Sequence, residues 1–127
     1  MNRVLKLTLL IVFCTAALSA VAQQQPAVAH NGHWWNQKSQ IYHEGFVIGY
    51  KEGMHKILGH DSDLATFGST ELVSGLDKFY KDFRNQNIVV SDALPYVGDQ
   101  LRGVADDKLA AELLKLRATA AAAPNPE

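Results

Sequence analysis

A chain of 127 residues, 47% apolar and 20% charged with a formal net charge of −1, has room for one modest core. Those proportions exclude a disordered chain, a collagen-like repeat and a polytopic membrane protein. They also leave no basic excess with which to hold nucleic-acid phosphates.

Residues 1–22 read as an export signal. Arg3 and Lys6 make a basic start, Leu7 to Leu18 an apolar stretch, and Ala20-Val21-Ala22 a small-residue cleavage site before Gln23. The apolar stretch is too short for a membrane anchor, which takes roughly 20 residues. Phe13 is too bulky to precede a lipid-modified Cys14. Cleavage takes two of the 12 basic residues and none of the 13 acidic ones, moving the net charge from −1 to −3. It also removes the single cysteine, so the domain that remains has neither disulfide nor thiolate chemistry. The expected location is periplasmic or secreted, with no membrane contact after cleavage.

Residues 23–32, polar and containing Pro26 and Gly32, read as a flexible lead, and residues 119–127 as a frayed, disordered tail. Between them lies one helical domain over 33–118. Its first helix is expected at 34–58, where Trp35, Tyr42, Phe46, Gly49, Gly53 and Ile57 fall near one line. Glu44, Lys51 and His55 then face water, and Gly59 stops the helix. The second helix is expected at 70–83 behind an N-cap at Ser69 or Thr70. Leu72, Val73, Leu76, Phe79, Tyr80 and Phe83 mark its buried side. Asp77–Lys81 and Lys78–Asp82 are spaced as surface ion pairs. Ile88-Val89-Val90 is an extended connector or a stub of strand. With Asp92 as N-cap, Pro95 becomes the third residue of a helix closed by Gly103. The fourth helix opens at Asp106 or Asp107 and buries Leu109, Leu113 and Leu116. The fold class is all-α, four helices in an orthogonal or bundle-like single domain.

Gly45, Gly49 and Gly53 recur every fourth residue, and each costs about 1 kcal/mol relative to alanine inside a helix. Close packing offsets such a cost, so Gly49 is expected beneath the second helix with Phe79 or Phe83 on its backbone. The competing reading is an open groove for a ligand or partner. Trp34 and Trp35 point about 100° apart, so one helix face cannot bury both. Trp35 suits the core, and Trp34 suits docking. The candidate binding surface is therefore Trp34, Gly45, Gly49, Gly53 and Tyr80. The histidines (His30, His33, His43, His55, His60) read as surface groups, because no metal-ligand spacing joins them. Neither a nucleophile elbow around Ser74-Gly75 nor a phosphate-cradling loop is present, so no catalytic residue and no cofactor is expected.

Trp35, Tyr42, Gly45, Gly49 and Gly53, followed by the run Phe79-Tyr80-Lys81-Asp82-Phe83-Arg84-Asn85, resemble a group of small exported bacterial helical proteins of unassigned function. The resemblance covers residues 32–87. A looser similarity is to periplasmic HdeA-type acid chaperones and to effector-immunity proteins that guard against wall-degrading effectors. Those proteins usually carry a disulfide; this chain has no cysteine once residues 1–22 are gone. The resemblance implies an exported, non-enzymatic interaction protein (an inhibitor, adaptor or envelope-stress factor) whose partner is another envelope or secreted protein. A small-ligand carrier is the alternative, and a small hydrolase a more distant one.

Overall fold

A computed structural model describes residues 30–59 and 63–122. The export signal, the lead before His30 and the last five residues lie outside them. Five α-helices follow in order: α1 (Gly32–Trp35), α2 (Gln40–Leu58), α3 (Ser69–Phe79), α4 (Val90–Leu101) and α5 (Asp106–Ala122). A 3₁₀ turn, Phe83–Asn85, joins α3 to the connector before α4. Among the described residues there is no β-strand, and the domain is all-α. None of their helices is long and apolar enough to cross a membrane.

The expected first helix is two helices. Asn31 caps α1 by accepting from the Trp34 N–H at 3.2 Å, and the chain turns through 36–39 before Ser39 starts α2. In the turn the Trp35 carbonyl accepts from the Lys38 N–H at 3.0 Å, and His43 Nε2 donates to it as well, at 2.8 Å. Because a carbonyl only accepts, this contact places a proton on Nε2. The His43 ring stacks on the Trp35 indole, 3.8 Å between centroids and 9° from parallel. The indole N–H of Trp35 in turn donates to Asp77 Oδ1 of α3 at 2.8 Å. His43 is thus a buried residue and not a surface one. The fully buried Trp35 ties α1, α2 and α3 together.

This tie sets the rotation of α2. Its inward face carries His43 and Val47, with Phe46 and Tyr50 partly buried beside them. The line through Tyr42, Gly49, Gly53 and Ile57 lies about a quarter-turn away, towards solvent. Lys51 is not a free surface charge, since it donates to the Phe67 carbonyl at 2.5 Å. Gly59, at φ +68°, ends the helix as expected.

Helix α3 buries Leu72, Val73, Leu76 and Phe79 in the predicted register, with Tyr80 following at its C-cap. Its cap is Gly68, one residue earlier than expected, and it stops at Phe79 instead of reaching Phe83. Asn85 holds that end: buried, it donates through Nδ2 to the Phe79 carbonyl at 2.8 Å. Phe83 consequently sits outside the helix, 79% exposed. Neither surface ion pair expected along this helix forms: Asp77 faces Trp35 and His43, and Asp82 faces Arg84 and Arg117.

Helix α4 begins two residues before the expected cap, with Val89 as N-cap, so Pro95 is the sixth helical residue. A proline there leaves the carbonyl four residues earlier without its ladder donor. That carbonyl belongs to Ser91, and the Tyr50 hydroxyl of α2 reaches it at 3.3 Å. Helix α5 continues through the alanine run to Ala122, so the frayed tail expected from residue 119 begins no earlier than 123. Alanine is the best helix former, and Ala120 still packs on the core.

Residues 30–32 are not a flexible lead. Val90 N–H donates to the His30 carbonyl at 2.7 Å, Gly32 N–H donates to Gln86 at 2.9 Å, and Asn31 forms an antiparallel bridge with Val89. Gly32 is buried against the Tyr80 ring, leaving no room for a side chain.

Candidate functional site

The five residues of the candidate surface do not form one site. Tyr80 is buried, its hydroxyl donating to the Ile88 carbonyl at 3.0 Å. Burial first, and the Asp92 charge second, push its phenol well above the ordinary range. It is a core residue. Gly45, Gly49 and Gly53 meet nothing: a Cβ built on any of them has no neighbour within 4 Å. The expected contact of Phe79 or Phe83 with Gly49 does not exist. Gly49→Leu is therefore expected to leave the fold intact and raise stability by up to about 1 kcal/mol through helix propensity. A thermal melt checks this, and a fall of several degrees would refute it.

Trp34 is the exception: it is partly buried against the core and surrounded by rings. Tyr42 lies edge-on at 5.6 Å between centroids, Phe46 at 5.3 Å and His30 at 4.4 Å. The Lys38 ammonium sits 5.7 Å from the Trp34 ring centre and 5.6 Å from that of Tyr42.

A second site was not foreseen. Helices α3, α4 and α5, with the 3₁₀ turn, line an open groove of about 640 Å³. Phe79, Tyr96, Val97, Leu101 and Leu113 make its apolar wall, while Glu71, Lys78, Gln100 and Arg117 supply polar groups. Arg117 is fixed in place: Nε donates to Asn85 Oδ1 at 2.8 Å and Nη2 to Asp82 Oδ2 at 2.9 Å. Hydrogen bonds from Arg84, reinforced by the positive charges of Arg84 and Arg117, hold the Asp82 carboxyl well below the ordinary carboxylate range. Burial, and then the Glu112 charge, raise the Tyr96 phenol. Near neutral pH Asp82 stays ionised and Tyr96 stays protonated, so both keep one charge state. Such groups suit recognition better than proton transfer.

The signal for this groove lay in α5. Arg117 falls four residues after Leu113 and eight after Leu109, on the apolar side of its helix. A cation on an apolar stripe calls for a buried partner, and Asn85 with Asp82 provides it. In the sequence Asn85 stands out only as the last residue of the run from Phe79.

Among the described residues, no three His, Cys, Asp or Glu side chains gather into a metal-binding cluster. Of the five histidines, His60 lies outside the described residues. No family model, curated protein or solved structure matches the chain.

Proposed function

We propose that the protein is an exported, non-enzymatic binding domain that receives an apolar anchor from a protein partner in the α3–α4–α5 groove. The observation that carries this reading is the groove itself: an apolar wall beside a guanidinium already held in place by Asp82 and Asn85. A preorganised polar group loses little freedom on binding, and a concave apolar wall accepts the side chain that anchors an interface. The compartment follows from residues 1–22, and the partner is accordingly another envelope or secreted protein.

Ser74 stands exposed at the groove's edge, so Ser74→Trp fills the groove without entering the core. A pull-down from envelope extract with wild type should recover a protein that Ser74→Trp fails to recover, at an unchanged melting temperature. Recovery of the same protein by both would overturn the groove as the site. The volume of about 640 Å³ also lies in the range of small-molecule pockets, which supports the carrier reading. Native mass spectrometry of the isolated protein distinguishes it, because a carrier retains added mass that Ser74→Trp excludes.

A further inference from the structure

The rings around Trp34 share no residue with the groove, and the proposed function makes no use of them. Trp34 and Tyr42 meet at 73°, so their faces form two walls of a corner, with Phe46 behind the indole. The Lys38 ammonium lies in that corner, between 5.6 and 5.7 Å from both ring centres. A cation within about 6 Å of an aromatic centre is attracted by the ring's negative face. The corner is thus a cation seat, and the chain's own lysine is its occupant.

A lysine is a poor match for such a seat. Its ammonium is strongly hydrated and carries three N–H groups that call for acceptors. Among the described residues the Lys38 ammonium has these two rings beside it and no hydrogen bond or ion pair to the protein. A quaternary ammonium has no N–H to satisfy, and its methyl groups lie directly on aromatic faces. Space for the rest of such a molecule adjoins the seat. A hollow of about 460 Å³ is lined by Ser39, Ile41, Tyr42, Gly45 and Phe46. Gly45 contributes no side chain, and this keeps the hollow open.

We infer that the Trp34–Tyr42–Phe46 corner is a binding site for a trimethylammonium group, which displaces the Lys38 side chain. The group reaches the site on a soluble choline-like molecule or on a lipid headgroup. Lys38 acts as a tethered competitor that sets the affinity.

The test uses choline chloride on the full chain, with calorimetric titration and saturation-transfer difference NMR on the choline methyl signals. Sodium chloride at equal ionic strength is the control. Wild type should show saturable binding with transfer to the methyl groups. Lys38→Ala should bind about two- to fivefold more tightly, the gain expected from losing one exposed cation–π competitor. Trp34→Ala should abolish the signal. If that variant folds poorly, Tyr42→Ala, at a residue already half exposed, should abolish it in a folded protein. Cosedimentation with phosphatidylcholine but not phosphatidylglycerol vesicles places the group on a lipid, and binding of free choline alone places it on a soluble molecule. Either outcome upholds the site. A linear response matching sodium chloride in both wild type and Lys38→Ala would overturn it, as would binding that survives in Tyr42→Ala.

Discussion

Trp35→Ala is expected to destabilise the domain by about 3–5 kcal/mol, the usual range for deleting a buried large aromatic. The indole is fully buried and touches the rings of His43, Phe46 and Tyr80. Its loss also leaves Asp77 without the indole donor and His43 without its stacking partner. Total stabilities near 5–15 kcal/mol make this a large fraction of the whole. Urea unfolding followed by far-ultraviolet circular dichroism measures it, since fluorescence loses one of two tryptophans. Trp35→Phe should fall between the two, retaining most of the apolar contact and losing the hydrogen bond. A loss within about 0.5 kcal/mol, typical of surface positions, would show that the indole does not join the three helices.

Gly75→Val carries the next largest expectation, about 1–3 kcal/mol or more of overpacking strain. Gly75 lies where α3 meets α4, and a Cβ built there runs into Val97 Cγ1. Valine is stiff at χ1 in a helix, so Val97 has little freedom to swing aside. Here the backbones approach closely because one helix has no side chain. Val97→Ala should recover part of the loss in the double variant, because contacting sites do not add independently. Unfolding curves for the four members of the cycle measure that coupling. Strict additivity would place the strain somewhere other than Val97.

The contrast with Gly49 explains where sequence reading failed. A triplet spaced by four draws attention to itself, whereas Gly75 and Gly98 are isolated. Yet the isolated ones meet neighbours: a Cβ on Gly98 would lie 2.5 Å from Leu64 Cδ2. Spacing reports which residues share a face, not whether anything covers that face. Helix α3 was legible because its polar and apolar sides are distinct, and its core residues follow directly. In α2 apolar residues occur all round, with Ile41 at 81% and Ile57 at 78% exposure on either side of buried Val47. No periodicity chooses between such faces. A hydrogen-bonded contact between Trp35, His43 and Asp77 makes the choice, and no local pattern encodes it. The groove was hidden for a similar reason, since its polar residues come from three separate elements. Only Arg117, a cation among leucines, pointed to it. Trp34 was legible because two adjacent indoles cannot share one side of a helix.

The stitching of residues 30–32 to residues 86–90 bears on the order in which the molecule assembles. Closing a chain of nearly 60 residues has a substantial entropic penalty, and contacts so distant in sequence form slowly. During synthesis, residues 30–35 emerge before the segments that hold them, and their pairing with Val89 and Val90 closes only once Val90 has been made. Until Asp77 and Tyr80 have been made, the Trp35 indole lacks both that carboxylate and that ring, and it stays open to any chaperone. Helices α3 and α4 are close in sequence and can pair beforehand, offering a surface on which the earlier segment docks. The part made first is the part finished last.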